Sequence, residues 1–249
     1  LCEFAVCSFF IRHSPFPISY TTRKARPLRG PFGYMGLALR PRGHETNVRE
    51  AFMKRTAQDI LNYVEDNDVK FAKLTFCDIF GNQKNISLFA SELPRAFAQG
   101  ISFDGSSIAG FMNVEESDLV LWPDPDTAAV LPWRPTEGRV IRMYCDITLP
   151  DGRPFEGNCR GYLQSVVKRA SAMGLACNVG CECEFYLFET DDRGDPTRIP
   201  LDHGGYFDIP PLDRGENIRR EICFAIEELG QHPEHSRHES GPGQNEVCF

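Results

Sequence analysis

From residue 54 onward the apolar positions follow two periods, and the switches between them outline a series of elements. In "TAQDILNYVEDN", Ala57, Ile60, Leu61 and Val64 fall at i, i+3, i+4 and i+7. Thr56 stands three residues before Asp59, so an amphipathic helix opened by a capping box is predicted there. "KFAKLTFCDIFGNQKNISLF" reads as two strands joined by a loop holding Gly81 and Asn82. "SELPRAFAQG" reads as a short helix stopped by Gly100, and strand-like runs follow at 119–122 and 139–147. Residues 69 to about 155 therefore form a small, mostly β unit. Beyond it, apolar residues at 162, 163, 166, 167, 170 and 173 predict a helix with a glycine stop at Gly174. Alternation predicts a strand over 179–189, and the Asp-, Pro- and Gly-rich stretch 190–212 reads as loop. Ile218, Ile222, Ala225, Ile226 and Leu229 mark a second amphipathic helix ending at Gly230, and "NEVCF" is strand-like.

The first 52 residues have a different character. Residues 14–45 are rich in Pro, Gly and Arg and hold neither period, so no regular fold is expected there. The stretch 1–52 carries 8 Lys/Arg against 3 Asp/Glu, whereas 53–249 carries 19 against 32. An Arg-rich organellar leader is one reading. Sequence translated ahead of a natural start at Met53 is the favoured one, because the chain opens with Leu and shows no signal-peptide cleavage pattern. The expected organisation is thus a leader over 1–52, a β-rich unit over 53–156 and a further domain over 157–249. The acidic body argues against a nucleic-acid partner and suits a site for metal cations. Mean hydropathy is -0.33, and no apolar run approaches the roughly 18 residues that span a bilayer, so no membrane partner is expected. Ten cysteines include no CxxC pair. Cys181 and Cys183, with Cys177 upstream, could ligate zinc. The favoured alternative packs them as small hydrophobes beside Phe185 and Leu187, which implies a reducing, cytoplasmic setting.

Two stretches carry candidate chemistry. In "CECEFYLF", two strand steps put Glu182 and Glu184 about 7 Å apart on one face, a spacing suited to two divalent ions. Glu239 and Glu246 flank the turn "SGPGQN", with Glu234, His235 and His238 just upstream. Oxygen-rich clusters of this kind favour magnesium or manganese over zinc. A glutamate pair on a strand is equally the mark of a solvated face, and the residues alone leave both readings open. "FDGSSIAGF" (103–111) reads either as a phosphate-cradling loop or as a tight turn in which Asp104 bonds its own backbone; neither GxxxxGK[ST] nor GxGxxG is present.

"FDGSSIAGF", "ESDLVLWPDPDT" (116–127), "CECEFYLF" (181–188), "GGYFDIPPLD" (204–213) and "HESGPGQNEV" (238–247) resemble, in order and spacing, the bacterial-type glutamine synthetases. The resemblance runs from about Met53 to the end. It implies an α+β fold: a β-grasp amino-terminal domain followed by the first part of a catalytic domain with a curved antiparallel sheet and flanking helices. It also implies homododecamers with active sites shared between subunits, and ATP-dependent amidation of L-glutamate by ammonium through γ-glutamyl phosphate. Such phosphoryl transfer needs positioning and charge neutralisation above all, hence two Mg2+ or Mn2+ per site. By the same resemblance Glu184, Glu239 and Glu246 match the ligands of one ion, and Glu182 matches a ligand of the other. Asp104 matches the carboxylate that binds ammonium and takes its proton. Ser107 and Asp118 match its supporting positions, Tyr206 an aromatic hydroxyl of the ammonium pocket, and Glu234 a nucleotide contact.

Two departures stand out. Arg237 replaces the first of the family's paired histidines before Glu239, adding positive charge near the metals. The family's motifs beyond "GQNEV" do not appear in the chain, so it is expected to be inactive alone. Competing readings are a ligase of the same fold that uses a polyamine or other amine, a catalytically inactive structural relative, and an unrelated metal-binding module. The intact "DGSSI" favours ammonia, and the four retained carboxylates argue against a purely structural role.

Overall fold

The structure, a computed structural model, describes residues 54–114, 117–133, 137–177 and 179–249, together with the backbone of 6–11. Most predicted elements form where the periodicity puts them. Helix α1 (Ala57–Asp66) opens with the expected capping box: Asp59 N donates to Thr56 Oγ1 at 3.2 Å, and Thr56 N donates to Asp59 Oδ2 at 2.8 Å. Strands β2 (Val69–Cys77) and β3 (Gln83–Phe89) pair antiparallel. Their loop is tied by Asp78 Oδ1, which accepts from the backbone N–H groups of Phe80 and Asn82, each at 2.9 Å. Helix α2 (Leu93–Gln99) ends at Gly100, whose φ of +68 is a left-handed conformation that a side chain disfavours.

These elements belong to a six-stranded sheet in the order β3, β2, β7 (Arg139–Thr148), β5 (Asp118–Pro123), β4 (Ile101–Asp104), with the short β6 (Ala129–Val130) also on β7. β2 and β7 run parallel at its centre, and the other pairs are antiparallel. Alternate residues of β2, β5 and β7 point inward, so Ala72, Leu74, Leu119, Leu121, Ile141, Met143 and Cys145 are buried beneath α1 and α2. Burial pushes the Cys145 thiol up to about 12, which keeps it protonated and inert.

A second sheet runs in the order β1 (Val6–Ile11), β8 (Val179–Tyr186), β12 (Gln244–Cys248), β11 (His235–His238), all antiparallel. Helix α4 (Glu216–Glu228) packs on β11 and β12. Helix α3 (Cys159–Ala172) is joined to the first sheet through its first turn. There Cys159 Sγ donates to Asp78 O, and Arg160 ion-pairs with Asp146 and Asp124.

Several expectations are corrected. Residues 6–11 form an edge strand against β8, where no element was expected. The predicted strand 179–189 is broken at Leu187, whose N–H donates to Gly243 O at 2.8 Å, into β8 and β9 (Phe188–Thr190). The stretch read as loop holds β10 (Pro196–Pro200), paired with β9. β11, with the sequence HSRH, carries no strand signal of its own; it is a strand because β12 offers it a hydrogen-bonding edge. The apolar stripe of α3 forms a helix but is not buried, with Tyr162, Leu163, Val166, Val167 and Met173 all exposed. Amphipathicity shows that a face is apolar, not what covers it.

The apolar core lies under the first sheet. Leu74→Ala, at a position with no exposed surface, is expected to lower stability by about 2–5 kcal/mol. Denaturant unfolding should show a shifted midpoint at unchanged slope.

Candidate active site

The register of the second sheet builds the site. Across β8, β12 and β11, Glu184 faces Glu246 and Glu246 faces Arg237; one step along, Glu182 faces Cys248 and Cys248 faces His235. Directly opposed residues share a face in an antiparallel ladder, so three of the singled-out carboxylates, Glu182, Glu184 and Glu246, line two adjacent rows with Arg237, His235 and Cys248. Gln244 opens the next row, and its Nε2 donates to Glu184 Oε2 at 2.8 Å.

Arg237 balances this negative charge. Its Nε donates to Glu239 Oε1 at 2.7 Å, its Nη2 lies 2.6 Å from Glu246 Oε1, and its Nη1 donates to His235 Nε2 at 2.7 Å. The hydrogen bond it donates to Glu239 holds its guanidinium firmly charged. The rings of Tyr206 and Phe207 lie 5.8 and 5.9 Å from the guanidinium carbon, which brings Tyr206 to the edge of the cluster. Glu246 is 2 % exposed, and burial pushes its carboxyl above the usual range. Burial acts on Glu239 in the same sense, but its hydrogen bonds with Arg237, Glu246 and Ser240 and the charge of Arg237 together outweigh it and lower that group. Burial, reinforced by Glu246, pushes the Cys248 thiol up to about 12.

Beneath this face a polar network holds the strands in place. Asp202, almost fully buried, accepts from Gly204 N at 3.2 Å, Gly243 N at 3.0 Å, Arg214 N at 2.9 Å and His238 Nε2 at 2.8 Å. His238 Nδ1 meets the carbonyl of Glu239 at 2.7 Å. Both of its partners are acceptors, so both ring nitrogens donate and the imidazole is cationic. Burial alone would lower its pKa; the hydrogen bonds to Asp202 and the Glu239 carbonyl, with the negative charges of Asp202 and Asp213, together raise it instead. A side chain at Gly204 would place its Cβ 2.9 Å from His238 Nε2, so only glycine admits this contact. One helix turn further in, Arg219 pairs with Asp213 (Nη2 to Oδ2, 2.6 Å) and donates to Asn245.

The other singled-out loop lies on the first sheet. Asp104 on β4 faces Asp118 on β5, and both are exposed. Ser106 N donates to Asp104 Oδ1 at 2.8 Å, the self-bonded turn anticipated as one of two readings. Hydrogen bonds from Ser106, assisted by Ser117, hold the Asp104 carboxyl below its usual range. Ser107 is exposed on the loop. The structure places Asp104, Ser107 and Asp118 on a different sheet from the carboxylate rows. Glu234 is exposed just before β11, with its backbone N–H donating to Cys248 O at 2.8 Å.

Residues 68–150 match the family model "Glutamine synthetase, beta-Grasp domain", and residues 156–249 match "Glutamine synthetase, catalytic domain". The chain belongs to the glutamine synthetase family. It is 48 % identical over 196 residues to a glutamine synthetase of Clostridium saccharobutylicum and 47 % identical over 194 residues to one of Methanosarcina mazei. Those alignments cover 79 % and 78 % of this chain but 44 % and 43 % of the relatives, so the chain spans less than half their length. Among solved structures, a GmaS/ADP complex superposes with a TM-score of 0.67 at 27 % identity, covering 79 % of this chain and 44 % of that one. The Plasmodium falciparum glutamine synthetase superposes at 0.65 and 20 % identity, covering 78 % and 44 %, a likeness of fold. The β-grasp domain and the catalytic sheet of the resemblance are thus the two sheets described above.

Reading the sequence missed Asp202, Gln244, Cys248 and Ser117. Gln244 and Cys248 were within reach, since they continue the alternation of Glu246 along β12. Asp202 and Ser117 gave no periodic signal.

The Asp213–Arg219 pair supplies a test of this support. Burial would raise the Asp213 carboxyl, but the hydrogen bonds from Arg219 and Gly215 and the positive charge of Arg219 together outweigh it and depress it. The stabilisation is therefore fully present above the ordinary value of 3.8 and is lost as pH falls through the lower folded-state value. Asp213→Asn should cost about 3–5 kcal/mol at neutral pH, because it strands a buried guanidinium. The gap to the parent chain should narrow in acid, as read by urea unfolding across pH.

Proposed function

We propose that a full-length protein carrying this chain ligates ammonium to L-glutamate at the expense of ATP, forming L-glutamine through γ-glutamyl phosphate. The observation that carries this reading is the carboxylate face of the second sheet in a chain of the glutamine synthetase family. Glu184, Glu239 and Glu246 would hold one divalent ion and Glu182 would contribute to a second. The donor set fits: carboxylate oxygens from neighbouring strands suit Mg2+ or Mn2+, and they already gather around a cationic group, Arg237. Bound ions would neutralise the charge on the transferring phosphoryl group.

Asp104 is the ammonium-binding carboxylate in this reading. Its hydrogen bonds keep it ionised at neutral pH, and exposure leaves it open to substrate. Asp118 directly opposite adds a second negative charge, an arrangement that costs stability in a ladder and favours a cation between the two strands. A carboxylate so placed attracts ammonium and accepts its proton. Ser107 belongs to the same loop, and Tyr206 belongs to the ammonium pocket beside Arg237. Glu234, before β11, would contact the nucleotide. Because Asp104 and the carboxylate rows stand on separate sheets, a site completed between subunits of a cytoplasmic homododecamer accords with the family and with an acidic chain in which no described helix is long and apolar enough to cross a membrane.

The test is Asp104→Ala in the full-length protein. The expected result is a fall of about 10²-fold or more in kcat/KM for ammonium, with KM for glutamate little changed. An unchanged ammonium rate overturns the assignment. Faster turnover with a polyamine than with ammonium would shift the reading to an amine ligase of the same fold.

A further inference from the structure

Three donors of different chemistry converge where β11, β12 and β8 meet. His235 and Cys248 are direct cross-strand partners, and Glu246 lies two residues before Cys248, so all three side chains leave the same face. An imidazole nitrogen, a carboxylate oxygen and the thiol sulfur lie within 4.8 Å of one another. Cys248 Sγ donates to Glu246 Oε1 at 2.8 Å. Cys248 and Glu246 are buried while His235 is exposed, so the group opens to solvent through the imidazole.

A second observation marks the same point as a place for a cation. The Arg237 guanidinium touches both His235 Nε2 and Glu246 Oε1. A guanidinium only donates, so His235 Nε2 offers a lone pair, as a metal ligand must. Glu182, facing Cys248 from β8, places a further carboxylate in the same row.

We infer that His235, Glu246 and Cys248 form a metal site for a sulfur-tolerant divalent ion of the zinc or cobalt class, entered when the Arg237 side chain swings away. Nitrogen, oxygen and thiolate donors together select such ions, whereas magnesium and manganese prefer oxygen alone. On binding, the metal–sulfur bond replaces the S–H bond, and the thiol proton leaves to solvent. Tetrahedral zinc ligands sit about 3.5 Å apart, so the Cys248–Glu246 pair, at 2.8 Å, opens slightly while the imidazole closes by up to about 1 Å, a movement the exposed His235 can make. The inference shares Glu246 with the carboxylate site proposed above and rests on that reading to this extent: the two ions exclude one another.

Titrating Co2+ into the chain tests it. Saturable binding is expected, with a thiolate-to-cobalt charge-transfer band in the near ultraviolet. Cys248→Ser and Cys248→Ala should both abolish the band, and His235→Ala should weaken binding at least about tenfold. Arg237→Gln, which removes the competing cation, should tighten it. Circular dichroism of each variant separates loss of the site from loss of the fold. Cobalt that binds without the band, or a band that survives in both Cys248 variants, overturns the inference. Mn2+ binding to Cys248→Ser, followed by electron paramagnetic resonance, reports on the carboxylate reading separately: its loss would count against that reading and leave the cobalt result standing.

Discussion

Carboxylates on neighbouring strands of one sheet face repel each other, and burial sharpens that repulsion because little solvent lies between them. The second sheet tolerates Glu184 and Glu246 face to face because Arg237, the next residue across the ladder, brings a guanidinium to Glu246 and Glu239. Everything that makes this face chemically useful follows from that balance. The same convergence of acceptors that fixes Arg237 is what attracts divalent ions, so the arginine and any metal compete for one set of oxygens.

The opposite face explains why the rows stay in register. Asp202 gathers three backbone N–H groups and His238, fastening the loop before α4 and the turn between β11 and β12 to a single carboxylate. Arg219, reaching from α4 to Asp213 and Asn245, ties the helix to β12. A strand as polar as β11 would not hold a register by hydrophobic burial. It holds one because His238, buried beneath it, is bonded on both ring nitrogens. A slip of one residue would turn Arg237 away from the glutamates and expose His238.

On the first sheet the same physics appears in weaker form. Asp104 and Asp118 oppose one another, but they are exposed and Asp104 is hydrogen-bonded by its own turn, so water carries much of the cost. The sheet can accommodate this because its stability lies elsewhere, in the apolar layer of Leu74, Leu119, Leu121, Ile141 and Met143.

The chain's own periodicity determined a great deal. The capping box at Thr56, the glycine stops, the two amphipathic helices and the alternation that puts Glu182 and Glu184 on one face are local properties, set by side-chain size and backbone preference within a few residues. The ordered motifs identified the family for the same reason: they are linear. Tertiary structure decided what locality cannot carry. Pairing made HSRH a strand, and register set Arg237 opposite Glu246 and Cys248 between Glu182 and His235. Folding also buried Asp202 among donors far along the chain. Each of these depends on which strands become neighbours, a choice made by the summed burial and hydrogen bonding of the whole sheet and by no single stretch of it.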